Sequence, residues 1–145
     1  LESTTILKMN DAELPLVLDL LGLPREASGS PLEALLIRGS RLLLGCFPLD
    51  LVCITLGKDG SLLVNRNESH RHLGLPTRMG DAIGAGDAFT AALTHFYLQK
   101  APLAVMSEAG NRWGSWVASQ SGAMPTLDSA TRESISAAIL ARSTA

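Results

Sequence analysis

The sequence predicts an α/β layered fold, and three observations carry that prediction. Leu51-Val52-Cys53-Ile54-Thr55-Leu56 is an apolar, β-branched run without alternation. That is the pattern of a strand covered on both faces, as in a parallel sheet between helices. Strand-type runs alternate along the chain with stretches of helical periodicity, the order that builds layered α/β domains. At 145 residues, 46% hydrophobic and 18% charged, the chain can fill one core; an average soluble domain is roughly 25% charged.

Thr4-Thr5-Ile6-Leu7-Lys8 is a short β-prone run. Asn10 then suits an N-cap, with Glu13 three residues on as in a capping box. The helix it opens runs through about Leu21 and is ended by Gly22 and Pro24. Glu26 to Gly29 reads as a loop. Ser30-Pro31 opens a second helix, with Ser as cap and Pro at the first helical position. Along it Leu32, Leu35, Leu36, Leu42 and Leu43 mark an apolar stripe. After the strand, Gly57-Lys58-Asp59-Gly60 turns the chain and Ser61-Leu62-Leu63-Val64 returns as a hairpin. Asn67 to His72 reads as polar loop. From Asp87 a helical pattern runs through Phe89, Ala92, Leu93 and Phe96. Another helix spans about Pro102 to Gln120, and Asp128 or Ser129 caps a last one reaching about Ala141.

Composition excludes several classes of function. Lys+Arg 12 against Asp+Glu 14 leaves a net charge of -2, so no basic footprint for nucleic acid is expected. Aromatic residues are 4% of the chain, too few for a base-stacking platform. The apolar runs stop far short of the roughly 20 residues a membrane span needs. Cys46 and Cys53 have no metal-type pairing and read as buried, reduced thiols of a cytoplasmic protein. The chain opens Leu1-Glu2-Ser3-Thr4, without initiator Met or signal peptide. It is expected to be either processed or a piece of something longer.

The sharpest chemical feature is Gly84-Ala85-Gly86-Asp87 at a loop-to-helix junction. Glycines let successive backbone N–H groups point into one concavity, and the helix start adds a positive dipole, which together suit phosphate. No Gly-Lys-Ser/Thr follows, and Phe89 stands where a dinucleotide fingerprint needs its third glycine. A carboxylate at such a mouth repels phosphate if it is only structural. It makes sense as a base that takes a proton from an attacking hydroxyl. The plain alternative is a helix with an acidic first turn.

Asp81-Ala82-Ile83-Gly84-Ala85-Gly86-Asp87 resembles the Asp-Thr-x-Gly-Ala-Gly-Asp signature of the ribokinase-like (PfkB) carbohydrate kinases. Three more segments match in order. Asn10-Asp11-Ala12-Glu13 resembles the family's Asn-x-x-Glu motif, and Thr55-Leu56-Gly57-Lys58-Asp59-Gly60 its Thr-Leu-Gly-x-x-Gly nucleotide loop. Asn111, followed by Gly122-Ala123-Met124-Pro125, resembles the segment that closes the adenine pocket. The resemblance implies a three-layer α/β/α fold, of which this chain would be the C-terminal nucleotide-binding and catalytic part. The sugar-binding half and its lid resemble nothing here.

The resemblance also implies roles. Asp87 would be the general base, with the N–H groups of Gly84, Ala85 and Gly86 as anion hole. Asn10 and Glu13 would act through water on the Mg²⁺ that accompanies ATP, whether or not they also cap a helix. Thr55, Gly57 and Gly60 would line the triphosphate and ribose side; Asn111 would sit beside adenine, with Ala109 and Ser115 as neighbours. Many members bind a monovalent cation, K⁺ being the candidate, at places held here by Asp81, Ile83 and Ser119 to Gly122. Ala82 replaces the usual Thr and removes one hydroxyl from that site.

The implied activity is transfer of the ATP γ-phosphate to a sugar hydroxyl. The run from Gly80 to Leu93 looks most like fructokinase-type members. Kinases of ribose, 2-keto-3-deoxygluconate or a nucleoside are alternatives of the same class, and a nucleotide-binding fragment without turnover is one of another class. A fold cut here would expose apolar sheet edge, so self-association as a homodimer is expected. His70 and His72 are expected to be solvated loop, and His95 packing or surface. Trp113 and Trp116 read as core or interface, and Arg38 and Arg41 as surface charge.

Overall fold

A computed structural model describes residues 1–25, 29–76, 83–122 and 125–143. They form two compact units: residues 1–57 with 61–71, and residues 58–60 with those from 72 onward.

The first unit contains β1 (Ile6–Asn10), α1 (Glu13–Leu20), α2 (Leu32–Cys46), β2 (Leu51–Thr55), β3 (Ser61–Val64) and most of β4 (Ser69–His72). The strands make one sheet in the order β1-β2-β3-β4. β1 runs parallel to β2, with Ile6 opposite Leu51 and Asn10 opposite Thr55. β3 returns antiparallel after a single 3-10 turn at Gly57–Asp59. Val52, Cys53, Ile54, Leu62, Leu63 and Val64 are fully buried, as a run without alternation requires. Leu14 and Leu18 of α1 pack with Leu36 and Leu43 of α2 in the same core.

The α/β class, the parallel strand, the hairpin and the helices follow the expectations. Three details do not. Residues 69–72 form β4 rather than loop. Ser, His, Arg and His fit an outer strand, where no apolar alternation marks the pairing. α2 begins at Leu32, and no side chain caps it among the described residues. Pro31 has ψ 141, so the extended backbone there keeps Ser30 away from the first turn. Cys46 is exposed, at the end of an amphipathic helix; Cys53 alone is buried, and burial pushes its thiol up to about 12.

The second unit is built on α3 (Ala85–Leu98), α4 (Leu103–Ala118) and α5 (Ser129–Ser143). Ala92, Val105, Ala109, Ile135 and Ile139 form its core. Trp113 and Trp116 pack against that core edge to face, 5.9 Å apart. Asp128 caps α5: its Oδ1 accepts the Thr131 N–H at 2.8 Å and its Oδ2 the Thr131 hydroxyl at 2.7 Å. Among the described residues no helix is long and apolar enough to cross a membrane.

Candidate functional site

In the first unit, parallel pairing brings Asn10, Glu13 and Thr55 to the carboxyl ends of β1 and β2. Ligands of α/β sheets bind outside such strand ends. Asn10 and Glu13 form a reciprocal box. Asn10 Oδ1 accepts the Glu13 N–H at 2.8 Å, and Glu13 Oε2 accepts the Asn10 N–H at 2.7 Å. Both residues are exposed, so the box holds a carboxylate at the surface in a fixed orientation. The Thr55 hydroxyl donates to the Met9 carbonyl at 3.4 Å. Gly57 follows at φ +58, where an added Cβ would meet open space.

In the second unit, Gly84 has φ 81 and ψ -11, a left-handed conformation, and α3 starts at the next residue. No side chain caps α3 among the described residues. Its opening N–H groups, at Ala85 and Gly86, are therefore left to solvent or a ligand. Asp87 lies exposed in the first turn, because α3 starts at Ala85, two residues earlier than the sequence suggests. The glycine accounts for that shift, because its backbone freedom lets the chain enter the helix sooner.

α4 seats this turn. A Cβ at Gly114 would lie 3.2 Å from the Ala85 carbonyl oxygen, and one at Gly110 only 2.8 Å from the Phe89 ring. Asn111 is buried on the same helix, its Nδ2 donating to the Ser107 carbonyl at 2.8 Å. Ala109 is fully buried core and Ser115 is half-buried. Gly60, at φ +91, lies against residues 72–74. Of the cation candidates, Ile83 is exposed, Ser119 ends α4 and Gly122 has φ +83. Asp81 and Ala82, with Ala123 and Met124, lie outside the described residues.

The sequence reading missed Glu108 and misplaced His72. Instead of solvated loop, His72 is a buried strand end. Its Nε2 lies 3.1 Å from Glu108 Oε2, and its Nδ1 accepts the Gly74 N–H at 3.0 Å. Arg112 donates to Glu108 Oε1 at 2.6 Å and Arg142 to Oε2 at 3.2 Å. Burial would push the Glu108 carboxyl up, but Arg112 and the His72 hydrogen bond outweigh it and hold the group below the usual range. The i,i+4 spacing of Glu108 and Arg112 was a visible signal; the partner 36 residues away was not. His70, expected in solvated loop, is instead half-buried in β4, whereas His95 is exposed, in line with a surface position. Among the described residues no three His, Cys, Asp or Glu side chains gather as a metal site.

A family model described as pfkB family carbohydrate kinase matches residues 1–130. A stretch of 45 residues is 42% identical to the ATP-dependent 6-phosphofructokinase isozyme 2 of Mycobacterium tuberculosis, covering 31% of this chain and 13% of that protein. Phosphofructokinase-2 from Escherichia coli, solved in complex with potassium, is similar at TM-score 0.72 and 20% identity over 92% of this chain and 40% of its own. A nucleoside kinase from Burkholderia thailandensis gives TM-score 0.74 and 22% identity over 95% and 40%. Ribokinase from Thermotoga maritima gives 0.67 and 23% over 97% and 43%. The chain thus spans about 40% of the length of the solved kinases it resembles.

Proposed function

Because the chain belongs to the pfkB family of carbohydrate kinases, we propose that it is the nucleotide-binding and catalytic part of an ATP-dependent kinase acting on a sugar hydroxyl. One observation carries this reading: a left-handed Gly84 opening an uncapped helix with Asp87 in its first turn. Uncapped N–H groups at a helix start suit a phosphate, and an exposed carboxylate one turn in suits a base.

Asp87 takes the proton of the acceptor hydroxyl, and the N–H groups of Gly84, Ala85 and Gly86 stabilise charge on the transferring phosphoryl group. The Asn10–Glu13 box fits water-mediated contact with Mg²⁺, since it presents an oriented, exposed carboxylate. Magnesium, when bound with ATP, neutralises charge on the phosphates. Thr55, Gly57 and Gly60 line the phosphate and ribose side, and Asn111 and Ser115 the adenine side. Asp81 and Ile83 remain the candidates for K⁺.

A fructokinase-type acceptor is the preferred substrate, although the similar proteins are named for fructose 6-phosphate, ribose and nucleoside chemistry. A cytoplasmic location and a homodimer belong to the same proposal; phosphofructokinase-2 from Escherichia coli is itself described in a tetrameric form. A second reading, nucleotide binding without turnover, rests on the same uncapped turn at Gly84, which suits a bound phosphate whether or not it is transferred.

Calorimetry with ATP, followed by ADP release against a panel of fructose, fructose 6-phosphate, ribose, 2-keto-3-deoxygluconate and nucleosides, tests both. ATP binding with release driven by one acceptor is expected. Binding without release from any acceptor selects the second reading, and no ATP binding overturns both.

A further inference from the structure

We propose that the His72–Glu108 pair positions the Lys58–Gly60 loop against the α4 helix that carries Asn111, and so sets nucleotide affinity. The proposal rests on the kinase reading above, but its contacts stand on geometry within the second unit.

Three links make the connection. The loop is locked to residues 72–74 backbone to backbone. A Cβ at Gly60 would lie 2.1 Å from the His72 carbonyl oxygen, and one at Gly74 2.2 Å from that of Lys58. Both glycines have positive φ, so no other residue fits comfortably at either place. Next, the imidazole ties that segment to α4. Because Nδ1 accepts the Gly74 N–H, the ring proton sits on Nε2 and donates to Glu108. Last, Glu108 stands one turn before Asn111, and Arg112 and Arg142 keep its carboxylate paired.

Stability alone does not explain the arrangement. The Glu108 side chain is 3% exposed and that of His72 8%, and a well-packed apolar pair of similar volume is often no less stable than a buried ionic one. What a satisfied polar network adds is one defined position. Here that position is the distance from the glycine loop to Asn111, the two proposed flanks of the nucleotide.

The test uses the full chain with His72→Ala, Glu108→Gln and the double variant. Amide exchange at Gly60 and Gly74 and ATP affinity by calorimetry are the two readouts. Each single change is expected to speed exchange at both glycines and weaken ATP binding about tenfold, the effect of one lost buried partner. The double variant should bind no worse than the weaker single one, because the two residues act as a unit. Arg142→Ala removes a partner of the same carboxylate without touching the loop, and should leave ATP affinity within about twofold.

Unchanged exchange, or faster exchange with unchanged affinity, overturns the proposal. So does an affinity that follows melting temperature through all four variants, including Arg142→Ala. Should His72→Ala not fold, Glu108→Gln preserves side-chain size and gives the same readouts. A wild-type chain that binds no ATP overturns the kinase reading and the proposal together, and that result appears before any variant is made.

Discussion

The two units differ in what their glycines touch. In the first, Gly39 of α2 faces α1, and an added Cβ would meet Leu14 Cδ2 at 3.0 Å and Leu18 Cδ1 at 3.2 Å. Those are the far ends of flexible side chains and can turn aside. In the second, the same addition at Gly110 meets the Phe89 ring, and at Gly114 the backbone carbonyl of Ala85. A ring edge and a backbone oxygen have little room to give. The first unit therefore absorbs small changes in its aliphatic core. The second passes them to the turn that holds Gly84 to Asp87.

The largest effect expected is a change that touches no packing. Asp87 is exposed in the first turn of α3, so Asp87→Asn should leave the melting temperature unaltered. If Asp87 is the base, turnover of the active kinase should fall by about 10²–10⁴-fold, with ATP affinity kept. Turnover within a few-fold of wild type would remove the base from the mechanism. It would also remove the reason to regard the second unit as the one where placement governs function.

Alanine at the three glycines sharpens the comparison at a smaller scale. Gly110→Ala should cost about 1–3 kcal/mol by overpacking, and Phe89→Leu in the same chain should recover part of it. Gly114→Ala forces the Ala85 carbonyl to shift by a few tenths of an ångström, so stability falls by about 1 kcal/mol and turnover drops about tenfold through the displaced N–H groups. Gly39→Ala should be nearly neutral. The side chains of Leu14 and Leu18 rearrange, and the helix gains up to about 1 kcal/mol from replacing glycine. Thermal melts and steady-state rates read all three. Equal costs at Gly39 and Gly110 would break the distinction between the units.

What was legible in the sequence follows the same division. The Asn10–Glu13 box, the buried strand at 51–55 and the Asp128 cap are local patterns, readable from residues a few positions apart. The candidate turn at Gly84 to Asp87 was legible as chemistry, and its family likeness came from four motifs in order. β4 was not, because Ser69, His70, Arg71 and His72 carry no apolar alternation and their pairing depends on β3. The seating of Phe89 on Gly110 and the His72–Glu108 bond join residues 21 and 36 positions apart. No spacing rule announces such contacts; they exist only once the helices have packed.

The smallest expected effect is a dependence on acid in the second unit. Glu108 is held below the ordinary glutamate value of 4.5, against the cost of its burial, by Arg112 and His72, and Asp128 below 3.8 by Thr131. A carboxyl with a lowered folded pKa stabilises the fold above its unfolded value, and that contribution is lost as pH falls through the folded one. The paired Glu108 should therefore weaken the second unit progressively below about pH 4.5. Asp128 is exposed and adds little. Trp113 and Trp116 are the chain's two tryptophans, and both lie on α4, so their fluorescence follows this unit directly. The denaturant midpoint seen by tryptophan should fall between about pH 5 and pH 3. In Glu108→Gln the fall should be shallower, since the variant has no proton to take up there. Equal pH slopes in the two proteins would mean that the buried carboxylate is not what ties this unit's stability to its charge.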